Sequence, residues 1–265
     1  ATWVRDNDDD LSQADTMQSR RAVEWIVSNG GSCVIRLNSQ EQDLAITKPE
    51  AIPDGPFRLI EITLSKDGIP EEEFDRLSGL TSLETVSLTD CPLTDTALAN
   101  LRDSRQLMSL TLGNTQVTDD GLAILDTFTR LKVLNMPSGI TEKGFVHVLK
   151  CQRLEQLGGT FRSIRVQSLN RLPELDQLQT LYIYGVDASS MATDASRLEV
   201  FHQLPKLTVL HLFRSKLPRS LVKGLGQARQ FLRNRRRPHH QPVAHAQQFG
   251  YLQRGLLHHR RRRWL

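Results

Sequence analysis

The chain has 265 residues, 38% of them hydrophobic, and a formal net charge of +4. This is enough apolar material for a sizeable core in one or two domains, but no apolar run reaches the roughly eighteen residues of a membrane-spanning helix. The three cysteines are too few and too far apart for a disulfide framework or a zinc site.

The charge is unevenly distributed along the chain. Residues 200–265 hold 15 of the 34 lysines and arginines and none of the 30 aspartates and glutamates. Residues 1–199 therefore carry 19 basic and 30 acidic groups, a balance of −11. A basic segment of this kind is a candidate for binding nucleic acid or an acidic membrane surface.

We interpret residues 1–14 as an acidic linker. An EF-hand loop starting at Asp6 would need Gly and Glu where Leu11 and Met17 stand, which argues against calcium binding there. The chain begins at Ala1 and lacks the basic and apolar layout of a signal peptide. We expect a fragment or a processed form, either cytoplasmic or a soluble part of a membrane-anchored protein.

An amino-terminal cap is predicted over residues 15–56. Residues 16–28 fit a helix with Val23, Ile26 and Val27 near one face, and Asn29-Gly30 is typical of a helix end. Residues 33–37 then fit a short strand. A helix and a strand in this order would cover the end of the core that follows.

Residues 57–225 contain an internal repeat. Seven leucines open equivalent segments at steps of 24, 24, 24, 23, 24 and 29 residues; they are Leu59, Leu83, Leu107, Leu131, Leu154, Leu178 and Leu207. The apolar alternation after each leucine predicts a strand with one side in a core. A helical stretch follows, for which Thr94, Thr118 or Thr141 is the expected N-cap.

A strand and a helix repeated about every 24 residues cannot bury their apolar sides alone, so the units must stack on a common core. The sequence therefore predicts an α/β solenoid of about seven repeats, with a parallel sheet on the concave side and helices on the convex side. Leu110, Leu112, Leu134 and Met136 are predicted to be buried.

These units resemble leucine-rich repeats of the cysteine-containing type. Cys151-Gln152-Arg153-Leu154 matches the opening of that repeat, and residues 114–122 match its middle with a threonine in the cysteine slot. The pattern departs at Gly158-Gly159, where a strand leucine belongs, and at an insertion around 188–197, so the geometry should be least regular there. Residues 21–31 are similar to the segment before such repeats in bacterial kinase-linked proteins. This implies a piece of a larger bacterial signalling or envelope protein.

Residues 226–265 do not continue the repeat and are predicted to form a basic, His/Arg-rich, disordered tail. Arginine and histidine clusters leave three interpretations: a dispensable extension or out-of-frame sequence, an arm for phosphate backbones, or a histidine-rich metal tract. We expect deletion of residues 230–265 to leave folding intact.

The search for catalytic signatures gives nothing specific. His147 is the sole histidine before residue 200, and no G-x-S-x-G, H-E-x-x-H or phosphate loop occurs. Cys91 and Cys151 occupy repeat positions that favour core packing over reactive thiols. We predict that the chain is not an enzyme and has no cofactor and no metal site.

The polar positions of the predicted concave strands form the best candidate site. Early units present serine and threonine, whereas late units present Tyr182, Tyr184, His211 and Phe213. Counting from the leucine that opens each unit aligns Tyr182 with His211 and Tyr184 with Phe213, so parallel strands would join them in one patch. Exposed aromatic side chains often form interface hot spots, unless a tail or a carboxy-terminal cap buries them.

The predicted function is a non-catalytic module that binds a protein partner, of unknown identity, on this concave face. Two alternatives stay open. The basic tail could bind nucleic acid or an anionic surface, or the repeats could recognise substrates within a ubiquitin-ligase-like complex. Binding through the tail should weaken steeply as salt rises, whereas an aromatic interface should barely respond.

Overall fold

The computed structural model describes residues 13–37, 43–160, 166–184, 201 and 203–213. Of the residues at 13–15, 166–167 and 212–213, it describes the backbone alone. All of the described residues belong to one compact unit, Ala1–Asn234. The predicted linker up to residue 12, the insertion around 188–197 and the basic tail lie outside the described residues.

Short strands alternate with short helices through the described part of the chain. The strands are β1 (Ser32–Leu37), β2 (Asp43–Ile46), β3 (Phe57–Leu64), β4 (Thr85–Leu88), β5 (Ser109–Thr111), β6 (Val133–Asn135), β7 (Gln156–Thr160), β8 (Thr180–Tyr184) and β9 (Val209–Phe213). The α-helices are α1 (Gln13–Ser28), α2 (Asp95–Leu98), α3 (Glu142–Leu149) and α4 (Val166–Leu169). Short 3₁₀ helices span Pro49–Ala51, Glu71–Leu77, Ala99–Leu101, Gly121–Thr127 and Leu172–Glu174.

The amino-terminal segment forms a helix followed by a strand, as predicted. Helix α1 starts three residues before the predicted position and ends where Gly30 takes φ +77° and donates its N–H to the Val27 carbonyl. Trp25 of α1 is buried and packs edge-to-face on Phe74, with ring centroids 5.7 Å apart. Strands β1 and β2 form a hairpin, and β1 pairs antiparallel with β3. This segment therefore continues the sheet as well as covering its first parallel strand.

The sheet is parallel from β3 to β9, as predicted, with strand order β2-β1-β3-β4-β5-β6-β7-β8-β9. Equivalent residues of successive units pair directly, for example Val86 with Leu110 and Leu110 with Leu134. Strand β7 runs through Gly158-Gly159 without a break and pairs with both neighbours. The unit in which the repeat pattern departs from the leucine frame therefore keeps its register.

One hydrophobic core runs along one face of this sheet. Leu110, Leu112, Leu134 and Met136 all lie in it and are at most 2% exposed, which confirms their predicted burial. Along β5, β6 and the residues just after them, these core side chains alternate with side chains directed to the opposite face. The two-residue period of a strand requires this alternation. The same alternation defines the second face of the sheet.

The helical layer that covers the core is less regular than predicted. Thr94 and Thr141 cap α2 and α3, accepting hydrogen bonds from Ala97 N–H and Lys143 N–H. The third unit instead forms a 3₁₀ helix that begins at Gly121, so its N-cap is Asp120 and not the predicted Thr118, although the Thr118 hydroxyl accepts a hydrogen bond from Asp120 N–H (3.3 Å). The Thr118 hydroxyl donates to Asp95 of the preceding unit (2.5 Å) and is held by that contact between units.

Candidate functional site

The sheet face opposite the core is formed by three rows of residues that pair from strand to strand. We call it the polar face. The first row is Thr85, Ser109, Val133, Gln156, Thr180 and Val209; the second is Ser87, Thr111, Asn135, Gly158, Tyr182 and His211; the third is Thr160, Tyr184 and Phe213. None of these fifteen residues is Asp, Glu, Lys or Arg. From β4 to β9 the polar face therefore consists of hydroxyl, amide, aliphatic and aromatic groups.

Several side chains of the polar face are buried. Ser109, Thr111, Val133 and Gln156 expose 6%, 2%, 8% and 7% of their surface. Thr111 lies in the middle row, and its hydroxyl has no hydrogen-bond partner in the part of the chain that is described. A buried hydroxyl without a partner costs about 1–3 kcal/mol. The hydroxyl is covered, so a group that approaches the polar face from solvent does not reach it.

The four aromatic or imidazole residues predicted as a binding site fall at the β8–β9 end of the polar face. Tyr182 pairs with His211 and Tyr184 with Phe213, in the predicted register. The Tyr182 and His211 rings are stacked, with centroids 4.8 Å apart and planes 6° from parallel. The backbone of Phe213 is placed by this pairing, and its side chain lies outside the description.

The exposure of these side chains differs from the expectation. Tyr182 is only 9% exposed, so the expectation of an exposed aromatic side chain is wrong for this residue; stacking on His211 covers one face of its ring. Tyr184 and His211 are half-buried. Burial raises the pKa of the Tyr182 phenol, and burial together with the neighbouring Tyr182 raises the pKa of Tyr184 to about 12. Both phenols are therefore neutral at physiological pH.

Charged residues lie just before the polar face begins, and they are paired with one another. Arg36 contacts Glu84 (3.1 Å) and Asp43 (2.8 Å), and Lys132 contacts Glu155 (2.6 Å). Glu84, Lys132 and Glu155 immediately precede β4, β6 and β7. Each of these two cations is therefore paired with at least one of the three carboxylates at the strand starts.

At the other edge of the polar face, two residues adopt a left-handed backbone conformation that the repeat pattern did not predict. Asp90 and Asn114 follow β4 and β5 and both adopt the left-handed conformation, with φ +53° and +56°. The Asn114 amide donates to the Asp90 carboxylate (2.9 Å), and Ser65 donates to its second oxygen (3.4 Å). Asp and Asn tolerate this conformation better than other residues with side chains. Their spacing of 24 residues directly after a strand is the sequence signal that could have identified them.

The cysteines and His147 offer no reactive site on the helical side. Burial raises the pKa of the Cys33 thiol to about 12, and burial with nearby Asp126 does the same for Cys151. Cys91 is buried too, with its pKa raised mainly by burial. His147 contacts Asp126 (3.2 Å), which also accepts a hydrogen bond from Lys150. The thiols are therefore protonated packing groups at neutral pH, consistent with the prediction for Cys91 and Cys151.

A groove of about 360 Å³ lies on the helical side, between Leu125 and Cys151. Its floor is apolar, and at its rim Lys150 forms an ion pair with Asp126 (2.7 Å). Thr129, Gln152 and Arg153 also line the groove, so its lining mixes apolar and polar groups.

The described ranges contain neither a metal-binding cluster nor a membrane-spanning helix. Within them, no group of three His, Cys, Asp or Glu side chains is arranged to hold a metal ion. No helix in those ranges is both long enough and apolar enough to cross a membrane.

No protein-family model and no curated protein matches the sequence. Among solved structures, the chain is similar to an internalin (inlF) from Listeria monocytogenes, with 23% identity and a TM-score of 0.40. It is also similar to the leucine-rich-repeat ectodomain of the receptor kinase SOBIR1 from Arabidopsis thaliana, with 12% identity and a TM-score of 0.32. A complex of Latrophilin 3, Unc5D and FLRT2 (LRR) gives 15% identity and a TM-score of 0.28.

These matches cover unequal parts of the chains compared. They cover 61%, 76% and 62% of this chain, and 43%, 94% and 70% of the internalin, SOBIR1 and FLRT2-complex chains. The chain thus spans less than half of the internalin. The fold itself follows from the register of the strands: units about 24 residues long stack through a parallel sheet on a leucine core. The described part of the chain is an α/β structure of the leucine-rich-repeat type.

Proposed function

We propose that the chain is a non-catalytic interaction module that binds a protein partner on the polar face, centred on Tyr182, Tyr184, His211 and Phe213. We further propose that the polar face is the concave side of a solenoid of about seven cysteine-type repeats. From the sequence resemblance, the module would belong to a larger bacterial signalling or envelope protein.

The observation that carries this proposal is the stacked pair of Tyr182 and His211 at one end of an uncharged face. The two rings lie on adjacent strands, 4.8 Å apart, and the half-buried Tyr184 lies two residues further along β8. The sheet restrains the conformations of these side chains. They would therefore lose little conformational entropy when a partner binds. Aromatic side chains that are partly covered before binding are typical of interface hot spots.

The proposal is tested by a pull-down, in which three forms of the full chain are compared for the proteins that each retains from an extract. The double variant Tyr182→Ala/Tyr184→Ala removes the aromatic surface of β8. The control Val146→Ser removes an apolar side chain from α3, on the helical side, where Val146 is 40% exposed. Thermal melts of all three chains establish that each is folded.

A partner that uses the polar face should be retained by the wild type and by the Val146→Ser control and lost from the double variant. Truncating a hot spot typically costs 2 kcal/mol or more, about thirtyfold in affinity, which is enough to empty a pull-down. Equal retention of every protein by the folded double variant would refute binding through this face.

A second candidate function rests on the charge distribution. Residues 200–265 carry 15 basic and no acidic residues, so binding of nucleic acid or an anionic surface through this segment is the main alternative. Counterion release makes such binding weaken linearly with the logarithm of salt concentration. This alternative would be favoured by a partner that the double variant still retains and that is released between low and moderate salt.

A further inference from the structure

The polar face has a chemical character that restricts what it can bind. At the chain average of 24% charged residues, fifteen positions would include three or four charges, and these fifteen positions include none. Of the charges next to these fifteen positions, Arg36 pairs with Glu84 and Lys132 pairs with Glu155, and Glu61, which pairs with Thr85, lies beyond β4 at the β3 end of the first row. A charged group placed over the middle strands would lose water and gain no counter-charge, which is unfavourable.

We propose that the polar face binds an uncharged, extended segment of its protein partner, and this inference rests on the proposed function. Hydroxyl- and amide-bearing side chains or peptide groups of the segment would lie over β4 to β7. An aromatic or proline residue of the segment would lie against the Tyr182–His211 stack. Acidic and basic segments would be rejected.

The hydrogen-bonding groups of the face match such a segment. Ser87, Thr111 and Asn135 are neighbours in the middle row and include hydroxyl and amide groups that both donate and accept. Ser87 and Asn135 are half-buried and can be reached by a segment lying over the face, whereas Thr111 between them is only 2% exposed. Neutral amide and hydroxyl groups can pair with this row without the desolvation cost that an ion would incur.

The aromatic end matches an apolar or aromatic side chain. The stacked rings of Tyr182 and His211 form a flat surface, and Tyr184 extends it along β8. Aromatic pairs gain about 0.5–1.5 kcal/mol beyond the area they bury. The tyrosine phenols stay neutral, so they add no charge to this end of the face.

The test is selection of a phage-displayed library of random dodecapeptides on the immobilised full chain. Residues 200–265 are strongly basic and will retain acidic peptides, so peptides are scored by their dependence on the polar face. Asn135→Lys places a charge on the face, and Ala123→Lys places the same charge on the exposed side of the 3₁₀ helix Gly121–Thr127. Thr85→Lys is a second face variant, in case Asn135→Lys does not fold.

Face-dependent peptides are those that bind the wild type and Ala123→Lys at least tenfold more tightly than a folded face variant. The proposal predicts that these peptides carry no Asp, Glu, Lys or Arg in their common core and include Asn, Gln, Ser or Thr with an aromatic residue or proline. Their affinity should change less than about twofold between 50 and 500 mM NaCl, since no counterions are released.

The remaining outcomes separate this inference from the proposed function. Face-dependent peptides with charged cores, or a tenfold loss of affinity over that salt range, would overturn the inference and leave protein binding by this face intact. A selection that yields no face-dependent peptide would count against both.

Discussion

Replacement of Gly121 by alanine should destabilise the protein, although the same change in a helix normally stabilises it. Gly121 lies beside Asp95 of the preceding unit, and a Cβ atom at position 121 would lie 2.7 Å from Asp95 Cγ. The Asp95 carboxylate accepts hydrogen bonds from Thr118 N–H (2.8 Å) and from the Thr118 hydroxyl (2.5 Å). Moving the carboxylate away from the new methyl group breaks this contact between units.

The size of the effect follows from these two bonds. Hydrogen bonds to a charged group are worth about 1.5–3 kcal/mol each, and these are partly exposed, so we take about 2–4 kcal/mol for the pair. A Gly→Ala change contributes about 0.4–1 kcal/mol of stabilisation through the unfolded chain. The net expectation for Gly121→Ala is a loss of about 1–3 kcal/mol in the free energy of unfolding.

Urea unfolding followed by circular dichroism measures this loss, with Gly55→Ala as the matched control. No atom lies within 4 Å of a Cβ at position 55, so the control should be neutral or slightly stabilising. In an Asp95→Ala background the obstructing carboxylate is gone and only Val117 Cγ1 stays close to the new methyl group (3.0 Å), so Gly121→Ala should cost much less. An equal loss in the presence and absence of the Asp95 carboxylate would refute the reasoning.

Three further predictions concern the core, the thiols and the tail. Leu110→Ala, at a fully buried position of β5, should cost about 2–5 kcal/mol in urea unfolding, whereas a loss below 1 kcal/mol would mean that this leucine is not a core residue. Burial raises the pKa of Cys33 and Cys151 to about 12, so their contribution to stability is complete below a thiol's usual pKa near 8.5 and is lost as pH rises through 12. Thermal melts should therefore fall steeply in that range, and Ellman's reagent at pH 8 should label the cysteines only after unfolding; rapid labelling of the folded chain would contradict their burial. Deletion of residues 230–265 should leave the melting temperature unchanged, and a large fall would show that the tail stabilises the repeats.

The parts of the fold that follow from periodicity were predictable from the sequence. The leucine frame recurs about every 24 residues and alternates with a period of two, so it fixes both which residues enter the core and which pair across strands. The pairing of Tyr182 with His211 follows from counting along this frame, and the structure has that pairing.

Features that depend on contacts between units were not predictable in the same way. Thr118 looks like Thr94 and Thr141 in the sequence, and all three hydroxyls donate to a carboxylate of the preceding unit, but the helix after Thr118 is a 3₁₀ helix that begins only at Gly121. The burial of Tyr182 depends on the ring that stacks on it, which a register alone does not specify. The uncharged character of the polar face becomes visible only when residues from six strands are placed side by side.

The central claim, that a protein partner contacts the polar face, is tested most directly by site-specific photo-crosslinking. Incorporation of p-benzoylphenylalanine in place of Tyr184 puts a reactive benzophenone on the polar face, where an aromatic side chain already stands. The same group in place of Val146, 40% exposed on α3, reports contacts of the helical side. The partner retained in the pull-down should crosslink from position 184 and not from position 146; crosslinking from position 146 alone would contradict the claim.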